Sequence, residues 1–167
     1  MMCSLFHYGL RARDADTTLN FYTRVLGMRV DETRPNVRVT GYWLRAALPG
    51  SPPAIHVFTG EYARAHPSDA EVPGGSGAVH HMSLYCTEFR AMRQKLAEHG
   101  LPWEGGVAPG GRQWIIFVYD PNGVMLELTF DGTVEEGPPP EIAPENAHVP
   151  GQPFHAFDAA RYAAFAS

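Results

Sequence analysis

The pattern of apolar and polar positions runs through the chain twice, with a 74-residue offset. Phe6-His7-Tyr8-Gly9-Leu10 aligns with His80-His81-Met82-Ser83-Leu84. In each copy a histidine sits early in an apolar run, followed by an acidic turn and a helical pattern. In the first copy, residues 4–12 read as a strand with His7, Gly9 and Arg11 on one face. Asp14 or Asp16 caps a helix whose Ala15, Leu19, Tyr22 and Leu26 recur at helical spacing, and Gly27 suits its exit. Residues 28–33, 39–48 and 54–59 then read as strands, broken by Pro35-Asn36 and by Pro49-Gly50-Ser51-Pro52-Pro53. The second copy repeats the order. A strand over 79–86 leads to a helix capped by Thr87, with Phe89, Met92 and Leu96 along one face. Strands near 102–107, 112–119 and 124–130 follow, the last two joined by Asp120-Pro121-Asn122-Gly123. Each copy is a βαβββ unit.

These limits give a first module over 4–60, a connection over 61–78, a second module over 79–131 and a tail over 132–167. Residues 131–153 are acidic and proline-rich, which argues against packed regular structure. Phe154, Phe157, Tyr162 and Phe165 suit a short helix that docks on a module or on a neighbouring subunit. Neither βαβββ unit closes a sheet alone, and an open edge invites pairing. The expected class is α+β: two βαβββ modules pairing into a cupped, partly closed mixed sheet with helices outside.

Composition narrows the function. A net charge of −5 leaves no basic stripe for phosphates, so nucleic acid is not an expected partner. No apolar run approaches 18 residues, and no membrane association is expected. Cys3 and Cys86 are too few for a disulfide framework, and a reducing, cytoplasmic home is the default expectation.

Candidate chemistry lies at matching places of the repeat. His7 and His81 stand in the first strands, His56 and Glu127 in the last. Imidazoles with a carboxylate suit Fe(II), Mn(II), Ni(II), Zn or Co(II), so the four point to a shared metal or polar site. A lone His7 or His56 is more often a structural histidine, but a carboxylate between Leu126 and Leu128 is costly to bury unpaired. Ser83 and Tyr85 share the face of His81, whereas His80 falls out of phase and should point at the helix layer. Cys86 and the helix stripes read as core, and residues 120–123 read as a turn.

His7 followed by Asn20-Phe21-Tyr22-Thr23-Arg24-Val25-Leu26-Gly27, then His81-Met82-Ser83-Leu84, then Asp120-Pro121-Asn122-Gly123-Val124-Met125-Leu126-Glu127, resembles the vicinal oxygen chelate superfamily. Its members include glyoxalases, extradiol dioxygenases, methylmalonyl-CoA epimerases, and fosfomycin and bleomycin resistance proteins. The resemblance covers roughly residues 5–131. It implies paired βαβββ modules around a divalent metal that chelates vicinal oxygens, with His7, His81 and Glu127 at ligand positions. His56 departs from the family pattern, which has glutamate there in glyoxalase-type lyases and often glutamine in epimerases. Histidine can ligate, or act as an acid or base beside the metal.

The implied function is a divalent-metal-dependent enzyme acting on a small molecule with vicinal oxygens. A dioxygenase-like reaction on Fe(II) stands first, with Mn, Ni, Zn or Co as alternatives. The second reading is a glyoxalase- or epimerase-like lyase or isomerase, through a metal-stabilised enediolate with His56 or Glu127 shuttling the proton. The third is a drug- or metabolite-binding protein without chemistry, with Trp43, Trp103 and Trp114 lining its cleft. His56 and Tyr85 are the candidate catalytic residues, the tyrosine as donor to an oxyanion. His7, His56, His81 and Glu127 are the candidate ligands, within one chain or across a homodimer. Arg11 and Arg45 hint at an anionic substrate group.

Overall fold

The computed structural model describes residues 5–33, 40–64, 71–72, 74–149, 152 and 154–166. Cys3, the Pro35-Asn36 break, the start of the strand expected over 39–48 and part of the connection lie outside them. The contacts divide the chain into two compact units, Met1–Gly74 with Tyr162–Ser167, and Gly75–Arg161.

The first unit contains β1 (Tyr8–Arg11), α1 (Ala15–Asn20), β2 (Arg29–Val30), β3 (Gly41–Arg45) and β4 (Pro53–Phe58). The second contains β5 (Met82–Cys86), α2 (Phe89–Glu98), β6 (Glu104–Val107), β7 (Gln113–Tyr119) and β8 (Met125–Asp131). Both four-stranded sheets have one topology: β1-β4-β3-β2 and β5-β8-β7-β6. The first strand runs parallel to the last and the remaining pairs are antiparallel, so each sheet is mixed and open. The architecture is α+β, and the sequence repeat is a structural repeat.

In the second unit, strand alternation puts Trp114, Ile116 and Val118 of β7 and Leu126, Leu128 and Phe130 of β8 on one fully buried face. Helix α2 covers it: the Phe89 ring meets Trp114 at 5.4 Å and Phe130 at 5.1 Å edge-on. The other face carries Phe117, Tyr119, Glu127, Thr129, Ser83 and Tyr85. In the first unit Leu10, Leu44, Ile55 and Val57 are buried with Phe21, Tyr22 and Val25. The aromatic end of the tail docks here, with Tyr162 and Phe165 against Phe21 at 5.8 and 6.1 Å, and the Asn20 side chain donates to the Phe165 carbonyl at 2.7 Å. Gly41 must be glycine: its φ is +149° and a Cβ would sit 1.9 Å from the Val57 carbonyl oxygen.

Several expectations need correction. Asp14 caps α1 by accepting from the Thr17 N–H at 2.7 Å, but the α-helix ends at Asn20 and continues as a π-helical turn, Phe21–Val25. Thr87 does not cap α2. Glu88 precedes the helix with φ +66°, and the Glu135 carboxylate accepts from the N–H groups of Glu88 and Phe89, both at 2.8 Å. A carboxylate at that end is favoured by the helix dipole. The tail is also more ordered than its composition implies. Residues 144–146 form a 3₁₀ turn, and Ala147 bridges Gly105 in parallel at the β6 edge.

Candidate functional site

The repeat delivers its chemical residues in equivalent register. In the first sheet His7 immediately precedes β1 and His56 lies opposite Gly9. In the second, His81 immediately precedes β5 and Glu127 lies opposite Ser83. In both sheets the side chains come from the parallel pair, an outermost first strand and the last strand beside it.

His7 and His56 form an aromatic cluster in the first unit. Their ring centroids are 6.1 Å apart. Trp43, opposite His56 in register, stacks on the His56 ring at 4.0 Å and 9° and meets His7 edge-on at 4.6 Å. Phe58 packs against His56 at 4.1 Å. His7 Nδ1 and His56 Nε2 are buried, with no hydrogen-bond partner among the described residues. Leaving such an atom unsatisfied costs about 1–3 kcal/mol. Burial, then the neighbouring His7, holds His56 below the ordinary imidazole pKa. A neutral imidazole with a bare lone pair is the form that binds a metal ion.

In the second unit, His81 Nε2 is 3.3 Å from Glu127 Oε2. Glu127 Oε1 accepts from the hydroxyls of Ser83 at 3.1 Å and Thr129 at 3.0 Å. The carboxylate that the sequence suggested would be costly unpaired is therefore satisfied locally. His80 does not point at the helix layer: it is exposed, and its Nδ1 lies 2.9 Å from His81 Nδ1. A proton on His80 Nδ1 directed at His81 Nδ1 leaves the His81 proton on Nε2, facing Glu127. Tyr85 shares this face and is 70% exposed.

The four candidate ligands thus form two pairs, one per unit. Among the described residues, no group of three or more histidine, cysteine, aspartate or glutamate side chains is arranged to hold a metal ion. The donor chemistry of each pair fits a divalent ion, and the buried, unpartnered nitrogens of the first pair fit best. Trp114 is core, its indole N–H donated to the Gly111 carbonyl at 2.9 Å, and Trp103 lies 5.0 Å beneath the Arg93 guanidinium. Only Trp43 of the three tryptophans touches the candidate ligands among the contacts described.

One polar cluster escaped the sequence reading. Glu104 on β6 meets His148 Nδ1 at 3.1 Å and His155 Nδ1 at 3.8 Å. His148 lies in the 131–153 stretch whose composition argued against packed structure, and His155 in the aromatic stretch after it. A polar residue on an otherwise apolar strand, followed by two tail histidines, was the only signal.

The comparisons with known proteins agree with this architecture. The chain is 25% identical over 129 residues to a protein named glyoxylase I 4 from Arabidopsis thaliana, covering 76% of this chain and 70% of the relative. It is 30% identical over 126 residues to a lactoylglutathione lyase of Escherichia coli O157:H7, covering 74% of this chain and 90% of the relative. The glyoxylase/bleomycin resistance protein/dioxygenase domain from Frankia sp. EAN1pec superposes with a TM-score of 0.56 at 19% identity, over 78% of this chain and 93% of that one. The family model for the glyoxalase/bleomycin resistance protein/dioxygenase superfamily matches residues 4–128, and the chain belongs to that superfamily.

Proposed function

We propose that the protein is a divalent-metal-dependent enzyme acting on a small molecule with vicinal oxygens, and that its reaction is of the lyase or isomerase kind. The observation that carries the metal is the pair of buried imidazole nitrogens, His7 Nδ1 and His56 Nε2, left without a hydrogen-bond partner among the described residues. His7, His56, His81 and Glu127 would hold the ion. Iron, manganese, nickel, zinc and cobalt all suit such nitrogen and oxygen donors. The lyase reading takes precedence over the dioxygenase because relatives at 30% identity are named lactoylglutathione lyase. A substrate of that chemical kind, an α-hydroxy thioester, loses or gains a proton at carbon beside a carbonyl.

When bound, the ion supplies Lewis acidity toward two adjacent substrate oxygens. The chain's own residues do the rest. Where His7, His81 and Glu127 hold the ion without it, His56, kept neutral by burial and clamped between Trp43 and Phe58, would instead accept the proton from carbon at Nε2. Ser83 and Thr129 fix the Glu127 carboxylate, and Glu127 orients the His81 ring. The exposed Tyr85 hydroxyl donates to an oxygen on which charge develops. A dioxygenase remains the second reading, favoured by the histidine at position 56: two histidines and one carboxylate suffice for a site with positions left open. A cytoplasmic homodimer, with module limits at 4–60 and 79–131, completes the proposal.

The test is metal content of the protein as purified, uptake of Fe(II), Mn(II), Ni(II), Zn and Co(II), and turnover of lactoylglutathione with and without O₂. About one ion per chain, lost in His81→Ala and in Glu127→Ala, is expected for a single shared site. Turnover independent of O₂ supports the lyase. Failure to take up any of the five metals would sink the ligand assignment.

A further inference from the structure

The face of the second sheet opposite α2 carries a polar group that the metal-ligand reading does not use. Register places Ser83, Glu127, Phe117 and Glu104 in one row across β5, β8, β7 and β6. The His81–Glu127 pair lies toward one end of the row, and at the other end the tail delivers His148 to the Glu104 carboxylate. Phe117 lies between them, its ring centroid 5.9 Å from His81 and 4.5 Å from His148.

His148 is fixed at two points. Its backbone N–H donates to the Gly105 carbonyl at 2.8 Å, and Nδ1 faces Glu104 Oε2 at 3.1 Å. The Asn146 amide, donating to the Trp103 carbonyl at 3.1 Å, secures the preceding turn. With Nδ1–H committed to the carboxylate, Nε2 is left as an acceptor without a partner among the described residues. The imidazole is only 24% exposed, so this is an oriented group and not a solvated side chain.

We propose that His148, oriented by Glu104, is a substrate-binding residue of the site at His81 and Glu127, where its Nε2 hydrogen-bonds a substrate group remote from the vicinal oxygens. This rests on the metal-site reading above. Glu104 and Glu127 are two strands apart, which is about 10 Å at ordinary strand spacing. The substrate class is therefore an elongated small molecule. It carries vicinal oxygens at one end and a second hydrogen-bonding group about 10 Å along. A compact dicarbonyl does not span that distance.

The experiment uses full-length, metal-loaded protein with lactoylglutathione as the probe, comparing His148→Ala, His148→Gln, Glu104→Gln and Asn146→Ala. Turnover is measured beside the imidazole resonances of His148 during a titration with the probe. His148→Ala is expected to raise KM about tenfold with kcat within about twofold, the signature of lost uniform binding. Gln, which retains a hydrogen-bonding end, should recover most of that loss, and Glu104→Gln should fall between. Asn146→Ala loosens the turn that precedes His148 and should lower the melting temperature, with a rise in KM smaller than that of His148→Ala. The His148 resonances should shift on titration and saturate near KM. Unchanged KM in His148→Ala together with unmoved resonances overturns the proposal and leaves the histidine as a pin for the tail. Wild-type protein that takes up no metal refutes the underlying site, while the resonance titration still decides whether His148 meets the probe.

Discussion

Glu135 should carry a measurable part of the stability of the second unit. Helix α2 begins after Glu88, whose φ of +66° leaves it unable to cap through its own side chain. The first four N–H groups of a helix have no partner within it. Glu135, 47 residues downstream of Glu88, accepts from the Glu88 N–H and also from the adjacent Phe89 N–H, each at 2.8 Å. Removing a side-chain cap costs about 0.5–2 kcal/mol, and losing a favourable charge at a helix N-terminus a further 0.3–1 kcal/mol or so. The carboxylate is only partly buried, so Glu135→Ala should destabilise by about 1.5 kcal/mol. Glu135→Gln keeps an oxygen acceptor and loses the charge, and should cost about 0.5–1 kcal/mol. Urea unfolding, followed by Trp fluorescence and far-ultraviolet circular dichroism together, measures both through the shift in midpoint at constant m. A thermal shift of about 3–6 °C for the alanine variant is the corresponding expectation. An alanine variant within about 0.3 kcal/mol of wild type would refute the capping role. So would a glutamine variant as damaged as alanine, since the oxygen acceptor would then contribute nothing.

Two further outcomes follow from buried titratable groups. Burial holds His155 below the ordinary imidazole value of 6.5, opposed by Glu104 and reinforced by Arg161. The unfolded chain therefore binds a proton that the folded chain resists, so this contribution is fully present above pH 6.5 and is lost as pH falls toward the folded value. Melting curves between about pH 7.5 and 5.5 should show a decline that His155→Gln reduces, and an identical decline in the variant would reject the assignment. Burial, with Glu135 adding, pushes the Cys86 thiol up to about 12. In a Cys3→Ser background, Cys86 should resist a thiol reagent at about pH 8 until guanidinium is added. Rapid labelling of the native protein would contradict that burial.

The repeat was legible because it rests on chemistry that recurs locally. His7 and His81 precede equivalent strands, and the Asp120 turn closes with its carboxylate accepting from the Asn122 and Val124 N–H groups at 2.9 and 2.8 Å. Strand alternation alone was enough to put Ser83 on the face of His81, where the structure has both meet Glu127. What escaped depends on partners distant in sequence. Thr87 is a good capping residue by type, but Glu135 reaches the helix end first from the tail. Periodicity carries Leu26 on from Leu19 and Tyr22, yet it cannot report that Leu26 N–H reaches back five residues to Phe21, at 3.4 Å, instead of four. His148 sits in a proline-rich acidic stretch and His155 in the aromatic stretch after it, and nothing local to either announces Glu104. The direction of His80 failed for a related reason: alternation holds within a strand, and β5 begins only at Met82.

The bridge between Ala147 and Gly105 also bears on assembly. In the second sheet the outermost strands are β5 and β6, and an uncovered outer strand is a template for any chain with matching donors and acceptors. By laying Asn146 to His148 along Trp103 to Gly105, the tail occupies backbone groups that would otherwise recruit another molecule. The segment thus acts as a built-in chaperone for its own sheet. A protein with residues 144–148 replaced by a Gly/Ser linker, keeping Tyr162 and Phe165 on the first unit, would gain a sticky margin at β6, and its first symptom would be self-association and not unfolding.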